Sequence, residues 1–251
     1  MRNIEVCLDT TNARQFIENL SVAIDCGVKR FELCTNMHKD GLTPDMSTVE
    51  SACNLIARQY SFSSANAPEI GVMIRLHNNN FTVTNKQLIT MGTQLQNASD
   101  AGAQGVVFGV LDKHGTIDID AMKYLCHEAK VHSLNIGIHR AFDVLKNSPE
   151  RVTSLLELGV QRILSSGSSW LNKQEATMGL ANLTDTLSRL PIGAQLVVAG
   201  GVNADNACII ESNLIKAARN THQLWLHAYS GVLSNHKLCP ILTRKLVNPL
   251  C

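Results

Sequence analysis

One supersecondary unit recurs along the chain: a helical stretch, a glycine, and a buried strand beginning a few residues later. It appears as Cys26-Gly27-Val28-Lys29-Arg30-Phe31-Glu32-Leu33, as Ala101-Gly102-Ala103-Gln104-Gly105-Val106-Val107-Phe108, and as Leu158-Gly159-Val160-Gln161-Arg162-Ile163-Leu164. Glycine ends each helix because only glycine enters the left-handed cap without a Cβ penalty. Strand–helix alternation requires a parallel sheet with right-handed crossovers. Reading the unit forward gives eight candidate strands: 4–8, 30–34, 70–75, 105–109, 134–139, 162–165, 195–199 and 223–227. Apolar residues at helical spacing lie between them, as at Leu88, Met91, Leu95 and Ala98, or Val152, Leu155 and Leu156. Eight strands predict closure into a (β/α)8 TIM barrel. Six would have predicted a doubly wound open sheet, the weaker alternative.

A chain of 251 residues suits one such barrel, a single domain over 1–251. Hydrophobic residues make up 45% and aromatics 4%, so the core must be aliphatic, as parallel strands covered on both faces require. Two stretches fit the repeat poorly. Residues 60–69 read as a polar surface insertion before the third strand. After the eighth strand only 228–251 remain, interrupted by Pro240, so the final helix is expected to be short or incomplete. The barrel would then be thinly covered there, or covered by a partner subunit.

Some function classes are disfavoured. The net charge is +1 with no Lys/Arg stripe, which argues against nucleic acid as a partner. No apolar run reaches spanning length, and Met1-Arg2-Asn3-Ile4-Glu5 leads directly into a strand, so no membrane partner and a cytoplasmic location are expected. Of the eight cysteines, Cys26, Cys53, Cys126 and Cys208 fall in or at the ends of helices, and Cys7 and Cys34 at strand ends. Reduced thiols are the expectation.

Barrel sites form at the C-terminal ends of the strands. The first strand ends in Glu5-Val6-Cys7-Leu8-Asp9 and the second in Glu32-Leu33-Cys34. Residues two apart share a face. Neighbouring strands lie about 4.8 Å apart, so Cys7 and Cys34 are expected side by side, with Glu5 and Glu32 a layer below. Two interior carboxylates need counter-charges, and Arg75 and Arg140 are the candidates. The other strands offer His77, then His139-Arg140 with Asp143, then Ser166, Gly200-Gly201 and His227. Gly200-Gly201, with Asn203 as a candidate helix N-cap, could present amides to an anion, although a tight turn explains two glycines equally well.

These residues carry a resemblance. The runs Glu5-Val6-Cys7, Phe31-Glu32-Leu33-Cys34, Gly41-Leu42-Thr43-Pro44, Met73-Ile74-Arg75, Val107-Phe108-Gly109-Val110-Leu111, Gly115-Thr116-Ile117-Asp118, His139-Arg140-Ala141-Phe142-Asp143, Leu164-Ser165-Ser166-Gly167 and Gly200-Gly201-Val202 resemble the CutC copper-homeostasis family. The resemblance spans Ile4 to about His227. It implies a cytoplasmic TIM barrel, a homo-oligomer (most simply a dimer), with Cu(I) proposed as ligand at Cys7 and Cys34. The chain departs from the family at Arg75-Leu76-His77-Asn78-Asn79-Asn80-Phe81, where Arg-Pro-Arg-Gly-Gly-Asp-Phe is usual, and in its short tail. It reads as a divergent member.

Three functions compete. Cu(I) is soft and prefers thiolates, and two cysteines on adjacent strand tips offer them, with His139 or His77 as a third donor. An enzyme acting on a small anionic metabolite would use Glu32 or His139 as base, with Glu5 and Asp143 in the same set and Arg75 as anchor. Arg140, Ser166, Gly200, Gly201, His77 and His227 would surround that ligand. A barrel that has lost its site and serves in protein interaction is the third. No lysine ends a strand on the interior face, no His-x-His follows the first strand, and no phosphate-loop or dinucleotide glycine pattern opens a helix. Schiff-base, common metal-hydrolase and nucleotide chemistries are therefore disfavoured.

Overall fold

The computed structural model describes residues 2–60, 66–78, 80–146, 149–172 and 174–248. Eight parallel strands close into a barrel in sequence order: β1 (Ile4–Asp9), β2 (Arg30–Cys34), β3 (Glu69–Met73), β4 (Gly105–Phe108), β5 (Asn135–Ile138), β6 (Arg162–Ser165), β7 (Gln195–Val198) and β8 (Leu224–Ala228). β8 returns to β1 with Glu5 opposite His227. Helices follow the strands: α1 (Ala13–Asp25), α2 (Met46–Gln59), α3 (Asn85–Asp100), α4 (Ile119–Val131), α5 (Pro149–Leu158), α6 (Leu180–Arg189), α7 (Ala207–Leu214) and α8 (Pro240–Val247). The expected TIM barrel is the fold, and the open sheet is excluded by closure.

The helices start where side chains satisfy their first amides. Asn12, Asp45 and Asp118 accept from Gln15, Ser47 and Ala121, and Thr84 with Gln87 forms a capping box. α1, α3 and α5 stop at the repeated glycines. Gly27, Gly102 and Gly159 have φ of 86°, 93° and 97°, the left-handed conformation the repeat requires.

The main apolar core lies between strands and helices. Val6, Phe31, Val72, Val106, Ile136, Ile163, Leu196 and Leu226 face outward onto Phe16, Leu20, Leu95, Leu125, Leu155 and Leu187. Each such buried side chain contributes about 1.5–3 kcal/mol of hydrophobic stabilisation. This layer leaves the alternate strand positions to face the barrel axis.

α8 is short, as Pro240 predicts, yet it covers the barrel's side from within the chain. Leu246 and Val247 are buried, and Arg2 binds their carbonyls, through its guanidinium at 3.3 Å and its amide at 3.1 Å. A hairpin of β9 (Leu233–Ser234) and β10 (Lys237–Leu238) seats Leu238 against α1. Residues 61–65 of the expected insertion lie outside the described residues. Cys7, Cys26, Cys34, Cys53, Cys126 and Cys239 are free thiols, whereas Cys208 is disulfide-bonded, a departure from reduced cysteines throughout.

Candidate functional site

The interior positions of β1, β2 and β8 carry the charge. Strands in a barrel are staggered, so Arg30 lies level with Glu5, Glu32 with Cys7, and Cys34 with Asp9. The expectation that Glu5 and Glu32 share a layer is therefore corrected: β2 is shifted by one interior step. The counter-charges change with it. Glu5 forms an ion pair with Arg30 Nε at 2.5 Å, an approach without hydrogen-bond alignment, and bonds His227 Nδ1 at 2.8 Å. Neither Arg75 nor Arg140 pairs with either glutamate. Burial alone would raise the Glu5 pKa, but Arg30 and then His227 outweigh it and hold it at about 2. Arg30 itself lies 3.6 Å above the Trp225 ring and donates to Gln195 at 2.6 Å.

Glu32 has no arginine partner. His227 Nε2 is 3.5 Å from one carboxyl oxygen, and the other, Oε1, is buried without a partner. Burial, with the charges of Cys7 and Glu5, raises its pKa to about 8 despite His227. His227 moves well upward: burial opposes its charge, but Cys7, Glu32 and Glu5 favour it. Near neutral pH this places a protonated Glu32 beside an imidazolium.

Above Glu5 the lining turns to sulfur. Cys7 Sγ is 3.7 Å from Cys34 Sγ and 3.6 Å from Met37 Sδ, and Met73 and Tyr229 pack on the same cluster. The pair shares one proton unequally. The Cys34 hydrogen bond, helped by His227, lowers Cys7 to about 6 against the effect of burial. Cys34 is pushed well up by the same hydrogen bond and by burial. Cys7 is therefore the more acidic of the two thiols, and Cys34 the one that keeps its proton to higher pH. Donor atoms of Cys7, Glu32 and Cys34 all lie within 4.8 Å of one another.

A cavity of about 250 Å³ opens over this cluster at the C-terminal mouth. Glu32, Cys34, Arg75, His139, Arg140, Gly200, Gly201 and His227 all line it, so the sequence-derived set largely converges. Arg75 donates to the carbonyls of Asp40 at 3.0 Å and Asn78 at 3.3 Å. Its guanidinium lies 4.8 Å from the Phe81 ring and 5.9 Å from Trp170. His139 accepts the Ala141 amide on Nδ1 at 3.2 Å, which leaves the ring proton on Nε2. Burial and the Arg75 charge lower its pKa to about 3. His139 is thus a neutral hydrogen-bond donor.

Other expected members are placed elsewhere. Glu5 and Cys7 lie beneath the cavity lining. Asp143 is consumed as a strut: it accepts from Ser165 Oγ at 2.5 Å, Ser166 N at 3.1 Å, Ser166 Oγ at 3.0 Å and Arg140 Nε at 2.8 Å. Ser166 is fully buried, receives Arg140 Nη2 at 2.8 Å, and so positions Arg140 without reaching the cavity. His77 lines a separate recess with Asn80, Thr82, Val83, Thr84 and Gln87 rather than the mouth cavity. Asn203 does not cap α7. Its Oδ1 closes the preceding turn by accepting the amides of Asp205 and Asn206. Sequence reasoning missed Arg30, Met37, Met73, Phe81, Trp170 and Tyr229. Arg30 was findable, since it shares the interior parity of Glu32 and Cys34. Met37 and Trp170 sit in loops, where no periodicity applies.

Comparison with known proteins agrees with this architecture. Across the solved structures, a CutC from Streptococcus agalactiae, provisionally described as a copper homeostasis protein, superposes with a TM-score of 0.74 at 23% identity, covering 90% of this chain and 98% of that one. A 3-keto-L-gulonate-6-phosphate decarboxylase from Vibrio cholerae gives 0.64 at 13% identity over 98% and 95% of the two chains. At these identities the likeness is one of fold. In sequence, a CutC family protein of Pasteurella multocida (strain Pm70) is 31% identical over 84% of this chain and 77% of its own length. One from Aliivibrio fischeri (strain MJ11) is 34% identical over 85% and 78%. The CutC family model matches residues 2–223, all but the last strand and tail, and by that match and those relatives the chain belongs to the CutC family.

Proposed function

We propose that this protein binds Cu(I) at the paired strand tips of β1 and β2, with Cys7 and Cys34 as ligands and Met37 as an added thioether. The observation that carries the reading is the meeting of three sulfurs, with Met37 and Cys34 each within 3.7 Å of Cys7. Cu(I) favours thiolate and thioether over carboxylate or imidazole, so this donor set selects it over harder divalent ions. Binding one ion would release the proton held on Cys34, and the neighbouring imidazolium of His227 would balance the second thiolate. A reducing cytoplasm, which keeps both thiols free, is the matching compartment, and a homo-oligomer the matching assembly.

The test is competition against a chromophoric Cu(I) chelator under anaerobic conditions. The wild-type protein is expected to withdraw one equivalent, and the Cys7→Ser/Cys34→Ser variant to lose affinity by at least about tenfold, the effect of some 1.4 kcal/mol. Equal affinity in the two proteins rules these ligands out.

A second reading is acid–base catalysis on a small anion. It is favoured by Glu32, whose pKa near 8 suits proton transfer at neutral pH and whose Oε1 faces no protein partner.

A further inference from the structure

The copper reading uses only the floor of the mouth and leaves its largest feature unexplained. A monatomic ion needs no cavity of about 250 Å³. That volume is lined on one wall by Arg75, which is 6% exposed. Two of its nitrogens reach backbone carbonyls, but Nε is buried with no acceptor. Among the described residues no carboxylate comes within ion-pair distance of it. Asp40 helps only from further off. The two aromatic faces of Phe81 and Trp170 soften the cost of the buried charge but do not neutralise it.

Arg140, 5.0 Å from the same Trp170 ring, makes the contrast. Its Nε and Nη2 are bound by Asp143 and Ser166, and its charge is matched. Of these two arginines, Arg75 is the one without a paired carboxylate among the described residues. The complementary residue in the cavity lining is Glu32, whose Oε1 is also buried and also without a partner. Arg75 and Glu32 thus line one cavity, and each carries one unmatched polar atom. Buried polar groups in native proteins are almost always satisfied, and leaving each one bare costs about 1–3 kcal/mol. Two such side chains lining one space call for a molecule that pairs with them.

We propose that the mouth cavity is a binding site for a small organic anion, a carboxylic acid or a phosphate monoester, whose charged group is held by Arg75 and whose hydroxyl or carbonyl reaches Glu32. Phe81 and Trp170 wall the charged end from solvent, and the His139 Nε2 proton offers a further neutral donor. The site requires neither a metal at Cys7 nor any turnover, so it stands whether or not either reading above holds.

Trp170 lies against the site and reports on it. The experiment is a fluorescence titration of metal-free protein carrying Trp225→Phe, which leaves Trp170 as the single tryptophan, with thermal melting in parallel. The probes are inorganic phosphate, 3-phosphoglycerate, malate and, as the neutral comparison, glycerol. A saturable change and a raised melting temperature are expected with at least one anion and not with glycerol. A response to the phosphates alone assigns a phosphate ester, and one to malate alone a carboxylic acid. Arg75→Gln is expected to weaken that binding by about tenfold or more, the loss of a charge-assisted hydrogen bond. Arg14→Gln, on the exposed face of α1, is expected to leave it unchanged. If Arg75→Gln does not fold, Ala199→Leu, which fills the cavity from the opposite wall, is expected to abolish binding in its place. No response to any of the three anions up to about 10 mM, far above a useful affinity, overturns the proposal. So does a response that survives the Arg75 and Ala199 substitutions.

Discussion

Glu5 and His227 meet at 2.8 Å across the seam where β8 closes onto β1. The contact joins the first and last strands of the barrel through a charged hydrogen bond inside it. It also links the Glu5–Arg30 ion pair below to the Glu32 and Cys7 pair above. The acid of β1 therefore serves closure first, and the site sits on top of it.

Replacing Glu5 by Gln is expected to cost about 3–5 kcal/mol, because it leaves Arg30 as an unpaired charge 1% exposed to solvent. Chemical denaturation of the variant checks this. A loss below about 1 kcal/mol would mean that the Trp225 ring and Gln195 suffice to hold the cation.

The stability of the fold depends on pH with opposite signs for the two glutamates. Glu5 ionises at about 2 when folded against an ordinary 4.5, so its contribution is complete above 4.5 and is lost as the pH falls toward 2. Glu32 keeps its proton to about 8 when folded, whereas the unfolded chain releases it near 4.5. The native state binds more protons across that window, and the Glu32 contribution declines as the pH rises through it. His227, raised above 6.5, adds a decline in the same direction at higher pH. Glu32→Gln removes the first decline. Relative to wild type, that variant is expected to gain stability steadily from pH 4.5 to 8 in denaturation measured at each pH, and a flat difference contradicts the assignment.

The barrel itself was legible because its cause is local. A glycine must end each helix, and strands buried on both faces must be aliphatic, so Gly27, Gly102 and Gly159 announce the repeat. The mouth was legible in part, since Cys7, Cys34, Arg75 and His139 stand at strand ends. Their partners were not. Which cation meets Glu5 depends on the stagger between strands, a property of the closed barrel and of no single segment. That stagger replaced Arg75 and Arg140 with Arg30 and His227. His77 failed for a related reason: it lies beyond β3, where strand alternation no longer fixes direction. Asp143 stands beside Arg140 in the sequence, but its four hydrogen bonds could be counted only in three dimensions.

Cys7 is expected to carry a thiolate at neutral pH. The difference in thiolate ultraviolet absorbance between wild type and Cys7→Ser is expected to show a step near pH 6. Cys34→Ala removes the hydrogen bond that contributes most to the lowering, so the Cys7 step is expected to move upward in that variant. A Cys7 step near 9 in wild type would show that burial prevails over the bond and over His227.

Two interior glycines test how tightly the mouth is packed. A Cβ at Gly109 would lie 2.9 Å from His139 Cε1, 3.0 Å from its Nδ1 and 3.1 Å from the Ala141 methyl, closer than carbon atoms sit without displacement. The imidazole cannot yield easily, because its Nδ1 is held by the Ala141 amide and its ring packs 5.0 Å from Phe81. Gly137 lies one strand over, and its Cβ would meet Val107 at 3.4 Å and Arg162 Cβ at 3.6 Å, ordinary contact. Gly109→Ala is therefore expected to cost about 1–3 kcal/mol as an overpacked core site. Gly137→Ala should be near neutral, since alanine also restricts the unfolded chain. Denaturation midpoints of the two variants distinguish them, and the His139 ring resonances are expected to shift only in Gly109→Ala. Equal costs at the two positions would mean that the His139 ring is free to move, and with it the wall that the cavity places beside Arg75.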